Sequence, residues 1–324
     1  QAASGRGLGM ITIDGSSGES GGQILRTSLA LALVTGRAFS MERIRANRSR
    51  PGLQRQHLTA VQAAAEVGQA EVEGAALQSR QITFVPRTVR PGDYHFRVGS
   101  AGSATLVLQT VLPALLLAEG PSQLVLEGGT HNLYAPPFDF LHRAFLPLLN
   151  RMGPRVEATL ERPGFYPAGG GCMRVVVEPR PTLQPIELLD RGKIVRRRVR
   201  GIVSRLPRHI AEREVDTAMR KLSWPGDCGS VEEVDSPGPG NAVIVEVQCE
   251  HVTEVFTGFG QRGVPAEKVA AGAAREARRY LEAGVPVGEH LADQLLLPLA
   301  LAGGGRFRTL APTPHTTTNI ATLK

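Results

Sequence analysis

The sequence predicts an α/β (α+β) protein in which one strand–helix unit is used three times and a smaller α/β domain is inserted before the third use. Three observations predict this. A short β-branched run, a turn of small residues and a Leu/Ala-rich helical stretch follow one another in three places. Second helices and Val/Ile/Phe-rich strands lie between them, so the pattern returns at roughly 90-residue spacing. From 186 to 283 the texture changes to long alternating strands and charged helices. The sequence thus divides into a large unit, 1–185 and 284–324, and an inserted small one, 186–283.

In chain order, the run M-I-T-I-D at 10–14 reads as a strand. It leads through G-E-S-G-G at 18–22 into an apolar helix at 23–33, whose mix of small residues and Leu suits burial against a sheet. A second helix is expected at 57–68 and a strand at 81–85. The next unit has a strand at 96–98, the turn S-A-G-S at 100–103 and a helix at 105–118. Strands at 123–127 and 173–178 flank a helix at 138–152, and the glycines at 169–171 make a tight turn. The inserted stretch has strands at 193–203, 242–249 and 253–258 and helices at 207–222 and 266–283. The last unit starts at G-E-H-L-A-D-Q, 288–294, and runs into 295–302, with a strand at 306–310. After His315 only 316–324 remain, which reads as too short for a second helix and a closing strand.

Composition narrows the function classes. Apolar residues at 42% and charged residues at 21% describe a globular protein and exclude a disordered one. Aromatics at 5% argue against a base-stacking platform as the main mode of nucleic-acid binding. The net charge of +7 suits a polyanionic or phosphorylated partner. Lysine occurs only at 193, 221, 268 and 324, so arginine carries nearly all the positive charge. Three widely spaced cysteines without C-x-x-C spacing fit neither a disulfide framework nor a zinc site, as expected in a reducing cytoplasm. The stretch 1–9 has no apolar core of a signal peptide, and the longest apolar runs, at 106–118 and 295–302, are too short or too interrupted to span a bilayer.

Three constellations could carry chemistry. Arg43, Arg45, Arg48, Arg50 and Arg55 surround Pro51-Gly52 with only Glu42 against them. With Ile44 pointing inward on a strand, Arg43 and Arg45 would share its outer face and clamp a phosphate beside Gln56 and His57; a solvated, charge-protected edge strand is the other reading. The Gly-rich turn before Arg26 offers backbone N–H groups to an anion. Within it Glu19 makes sense as a ligand for a divalent cation bridging to phosphates, or simply as a helix N-terminal charge. Finally, His290 and Asp293 lie one helical turn apart, and His315 follows in a Pro/Thr-rich segment. No G-x-x-x-x-G-K-[ST] occurs and no lysine is followed by x-Asp-Gly, so a P-loop ATPase and a lysyl-adenylate ligase are both excluded. A covalent enzyme–nucleotide, if formed, would need another nucleophile, and histidine is the natural substitute.

At this point the sequence resembles the RNA 3′-terminal phosphate cyclases. The resemblance runs through I-D-G at 13–15, G-E at 18–19, G-G-Q-I-L-R at 21–26, the Ile44-Arg45 segment to P-G-L at 51–53 and R-Q-H-L at 55–58. It continues through S-A-G-S at 100–103, Gln109-Thr110, G-G-T at 128–130, A-P-P at 135–137 and G-F-Y-P-A-G-G-G at 164–171. L-A-D-Q at 291–294, His315 and Thr318-Asn319 complete it.

The resemblance implies three repeats, each a four-stranded sheet with two helices. It implies a reaction with ATP and Mg²⁺ or Mn²⁺ on an RNA bearing a 3′-terminal phosphate: formation of a histidyl-AMP, transfer of AMP to the RNA end, and attack by the 2′-OH to give a 2′,3′-cyclic phosphate. It makes His315 the nucleophile, and assigns Gln109, Pro136, Phe140, His290, Leu291, Ala292, Asp293 and Gln294 to the adenylate pocket. Arg26, Arg45, Arg48 and Gln56 become RNA-phosphate groups and Glu19 the metal contact. His290 stands where the family usually has Tyr, and Asn47 where it usually has Gly. No membrane partner is expected, and a homodimer is one arrangement left open. The competing readings are a cyclase-like ribosome-assembly factor without adenylation, whose branch lacks the histidine present here at 315, an enolpyruvyl transferase, and a plain basic RNA-binding module.

Overall fold

The structure, a computed structural model, describes residues 10–18 and 21–324. The expectations for 1–9 and for Glu19 therefore lie outside the described residues. The first sheet contains β1 (Ile11–Asp14), β2 (Phe39–Glu42), β3 (Glu71–Glu73) and β4 (Ile82–Val85) in the order β1-β2-β4-β3. β1 and β2 pair in parallel because α1 (Gly22–Thr35) supplies the crossover that a parallel pair needs. Helix α1 turns Ile24, Leu25, Leu29 and Leu33 into a core with Phe39, Met41 and Phe84, each worth about 2 kcal/mol of burial. It stops at Gly36, whose φ of 69° lets its N–H cap the carbonyl of Ala32. Helix α2 (Arg55–Val67) begins in a reciprocal box: the Gln54 side chain takes an N–H from the first turn, and the Gln54 N–H donates to His57 Nδ1 at 3.3 Å.

The second sheet repeats this order and these senses: β5 (Asp93–Arg97), β6 (Ser122–Gly128), β8 (Gly171–Glu178) and β7 (Arg155–Arg162), with only β5/β6 parallel. Its crossover helix α3 (Ala104–Leu115) is buried on every side except at Gln109. The single helix expected at 138–152 is instead α4 (Phe138–Phe140), a π-turn at Leu141–Phe145 and α5 (Leu146–Arg151). Pro147 has no N–H for the carbonyl four residues earlier, and the Leu146 N–H reaches Leu141 O instead.

After β9 (Glu187–Leu188) come β10 (Ile194–Ser204), α6 (His209–Leu222), β11 (Gly229–Glu233), β12 (Gly240–Cys249), β13 (Thr253–Phe259) and α7 (Ala266–Ala283). They form a sheet of different order, β11-β10-β12-β13, with α6 and α7 packed on it and on each other. Then follow α8 (Glu289–Leu301), β14 (Arg306–Phe307) and α9 (Pro314–Leu323). β9 and β14 pair in parallel, but among the described residues their sheet has two strands, not the four expected.

Three local expectations are corrected. The stretch 288–294 is the opening of α8 rather than a turn before a helix. The tail after His315 is helical: Thr313 caps it by accepting the Thr316 N–H at 3.1 Å, and Pro314 at the first position is preset for a helix. β2 stops at Glu42, so Arg43 and Arg45 do not share a strand face; both have φ of 53°, whereas Asn47, at the usual Gly position, has no positive φ. No helix among the described residues is long and apolar enough to cross a membrane.

Candidate functional site

A cleft of about 870 Å³ opens where α1, α3, α8 and α9 meet, with Val255, Thr257 and Phe259 of β13 as its far wall. The first residues of α1 (Gly22, Gln23), α8 (Glu289, His290) and α9 (His315, with its cap Thr313) all line it. Three helix N-termini thus converge, and their dipoles favour an anion there. The bare backbone at Gly22 is needed: a Cβ would strike the His57 ring and the Arg26 guanidinium. Gly18, with φ of 57°, lies against Thr318, so the Gly-rich turn and α9 are in direct contact.

His315 Nδ1 lies 3.1 Å from Asp293 Oδ2. Asp293 is buried and held from two further sides: Gln23 Nε2 donates to both its oxygens at 3.2 and 3.3 Å, and Asn319 Nδ2 donates to Oδ1 at 3.1 Å. Asn319 is fixed in turn by the Thr27 hydroxyl at 3.2 Å and by the Asp293 carbonyl at 3.2 Å. A carboxylate so clamped accepts the Nδ1 proton of the imidazole and leaves the Nε2 lone pair for chemistry. The half-exposed imidazole can be approached from the cleft.

Arg26, Arg45, Arg48 and Gln56 line the same cleft. Burial pulls the Arg26 pKa down to about 10, a fall that the Asp293 charge opposes, so the group stays cationic at neutral pH. Arg45 is lowered by burial and then by Arg48; its Nη1 donates to the carbonyls of Arg50 (2.6 Å) and Gly52 (2.9 Å), which splay its fork from a tight turn. The Gln56 side-chain oxygen Oε1 accepts the Ser103 N–H at 3.0 Å and ties α2 to the 100–103 turn. His57 beside them is neutral: burial, then Arg26, then Arg45 push its pKa down to about 3. By contrast Arg43 turns to Asp14 at 2.5 Å, and Arg43, Arg50 and Arg55 do not line the cleft.

At the other end, Gln109 of α3 donates to the Gln294 side-chain oxygen of α8 across the cleft floor. Pro136, Phe140, Leu106 and Leu297 add apolar surface, and the Pro136 carbonyl is held by the Thr105 hydroxyl at 2.7 Å. Pro113 and Pro298 lack the N–H groups that would bond the carbonyls of Gln109 and Gln294. Leu291 and Ala292, expected in the pocket, are packed into the interior and do not line the cleft. His290 lies at the mouth, 3.9 Å from Glu276.

Gln23, Thr27 and Asn319 were not singled out from the sequence. Their spacing to Asp293 exists only in three dimensions, although Gln23 and Asn319 fall inside motifs quoted above. The cleft also leaves polar atoms unpaired: Gln23 Oε1 and Thr257 Oγ1 are buried without a hydrogen-bond partner among the described residues. For a divalent ion the picture differs. No group of three His, Cys, Asp or Glu side chains among the described residues could hold one.

Comparison with known proteins adds the following. A family model described as RNA 3′-terminal phosphate cyclase matches residues 17–324. A Koribacter versatilis protein named RNA 3′-terminal phosphate cyclase is 56% identical over 320 residues, covering 98% of this chain and 90% of that protein. Proteins of the same name from Ralstonia nicotianae (54% identical; 97% and 90% covered) and Ectopseudomonas mendocina (49%; 97% and 92%) are also similar. Among solved structures, an EPSP synthase from Acinetobacter baumannii aligns over 65% of this chain and 54% of that one, at 10% identity and a TM-score of 0.26, a likeness too slight to carry an argument.

Proposed function

The chain belongs to the RNA 3′-terminal phosphate cyclase family, and from that we propose that it uses ATP to convert an RNA 3′-terminal phosphate into a 2′,3′-cyclic phosphate through an adenylate carried on His315. The observation that carries the reading is a single cleft holding both an imidazole oriented by a buried carboxylate and a set of guanidinium groups.

In the first step His315 Nε2 attacks the α-phosphorus of ATP, the bond to the β-phosphate oxygen breaks, and pyrophosphate leaves. Asp293 accepts the hydrogen bond of the Nδ1–H, which stays on the ring, and stabilises the cationic ring of the product. In the second step an oxygen of the RNA 3′-phosphate attacks the same phosphorus and the N–P bond breaks, restoring neutral His315. In the third the adjacent 2′-OH attacks the RNA phosphorus, loses its proton to solvent, and AMP departs. That attack is intramolecular, so the enzyme has only to hold the end in place. Arg26, Arg45, Arg48 and the three helix N-termini offset the charge on the phosphates, while Pro136, Phe140, Gln109 and Gln294 take the adenine end, with His290 at its mouth. Mg²⁺ or Mn²⁺, with Glu19 as its protein contact, would supply further charge neutralisation. The small sheet and its helices, 186–283, are read as a domain inserted into a large unit of three repeats, and α8 and β14 open the third.

The test is incubation with ATP labelled at the α-phosphate and a divalent ion. Label is expected on the protein and absent from His315→Ala; undiminished labelling of that variant would defeat the assignment.

A further inference from the structure

The loop between β6 and α4 offers the cleft a side chain that neither the reaction above nor the protein's own packing uses. Tyr134 is 98% exposed, the most open of the large hydrophobic side chains described, and it lines the rim of the His315 cleft beside Leu133, itself 41% exposed. Its backbone is left-handed, with φ of 61°, a conformation that costs a bulky side chain strain. The loop is nevertheless rigidly built. Asn132 Nδ2 donates to the Ala101 carbonyl at 2.5 Å, the Thr105 hydroxyl to the Pro136 carbonyl at 2.7 Å, and the Phe138 N–H to the Thr130 carbonyl at 3.0 Å. A strained, well-anchored loop therefore holds one aromatic ring out into water at the mouth of the site. The ring is not recovered by packing, so its use must come from outside the chain.

Resting on the proposed function, we propose that Tyr134 is a stacking platform for a nucleobase of the RNA substrate where the strand leaves the cleft. ATP does not suit the position. Its base belongs with the enclosed surface of Phe140 and Pro136, whereas an RNA has only its 3′ end inside and must cross the rim. Ala101, which the loop grips, is two residues from Ser103, whose N–H is bonded to Gln56 at the phosphate end of the cleft. A ring anchored there meets the strand close to its held phosphate. Stacking on a π-face tolerates any base, which suits an enzyme that must accept ends of varied sequence.

The experiment compares Tyr134→Ala, Tyr134→Leu and Tyr134→Trp in three assays. One is self-adenylation without RNA. The second is cyclisation of an oligoribonucleotide 3′-phosphate, and the third is equilibrium binding of that oligonucleotide by fluorescence anisotropy. Alanine and leucine are expected to raise KM and Kd for the oligonucleotide about 5- to 150-fold, the worth of one base–aromatic stack, while tryptophan keeps wild-type values. Self-adenylation is expected to stay within about twofold in all three. An oligonucleotide with abasic sites at its last two positions is expected to bind the wild type as weakly as the intact strand binds Tyr134→Ala. Equal losses in self-adenylation and RNA binding would overturn the proposal by assigning the ring to the nucleotide or to folding, and so would unchanged Kd in the alanine variant. If the wild type takes no label, the adenylation reading fails, but the binding arm still decides on Tyr134.

Discussion

Replacing Asp293 by Asn tests the arrangement at its centre. The carboxylate receives Gln23, Asn319 and His315 at 3.1 to 3.3 Å, and an asparagine can present only one oxygen to them. If that oxygen stays where Gln23 and Asn319 both donate, the amide NH₂ faces His315. The imidazole must then accept at Nδ1 and carry its proton on Nε2, the nitrogen that has to attack. A wrong tautomer and the lost stabilisation of the cationic ring together cost about 3 to 5 kcal/mol in the transition state, or about 10² to 10⁴ in rate. Folding should lose about 1 to 3 kcal/mol, because donors are left facing donors and Arg26 loses its counter-charge. Single-turnover labelling with α-labelled ATP reads the first effect and urea unfolding the second. Labelling by Asp293→Asn within about threefold of wild type would refute the view that this carboxylate sets the proton on His315.

Two further predictions concern buried titratable groups. His57 has a pKa near 3 in the fold, against about 6.5 when unfolded, so the unfolded chain takes up its proton first as pH falls. Its contribution is present above pH 6.5 and is lost on descending toward 3, in total on the order of 5 kcal/mol; urea unfolding at several pH values should show the wild-type acid slope much reduced in His57→Gln, and an equal slope would exclude it. Glu254 behaves oppositely. Burial pushes its pKa up to about 8, although its carboxylate accepts the Gly288 N–H at the start of α8, so its contribution is full below about 4.5 and fades as pH rises through 8. Glu254→Gln should keep the hydrogen bond and flatten that alkaline slope, while Glu254→Ala should release the first turn of α8, seen as faster amide exchange at 288–292. Unchanged exchange in the alanine variant would rule out the tether.

Much of the fold is readable in the chain because helix and strand periodicities are local. The strands at 81–85, 123–127 and 173–178 and the helices at 57–68 and 266–283 fall within a few residues of β4, β6, β8, α2 and α7. α9 was also legible, since a capping Thr followed by Pro is a helix start; treating the tail as too short hid it. β2 shows the opposite case. Alternation across Arg43, Ile44 and Arg45 reads as a strand, yet Ile44 is buried from a turn, because long-range bonds of its N–H to Arg80 O and of the Gly52 N–H to Ile44 O override local pattern.

What the sequence by itself determined is the family, the histidine proposed to carry its chemistry, and the clustering of arginines around residues 43–55. What only the tertiary structure decided is which of those groups meet. It turns Arg45 and Arg48 into the cleft and Arg43 out to Asp14, packs Leu291 and Ala292 away from the cleft while Asp293 and Gln294 line it, and brings Gln23 and Asn319 onto one carboxylate. The physical reason is that a side chain's partner is set by how helices from distant parts of the chain pack. Composition and spacing carry no record of a contact between residues 23, 293 and 319.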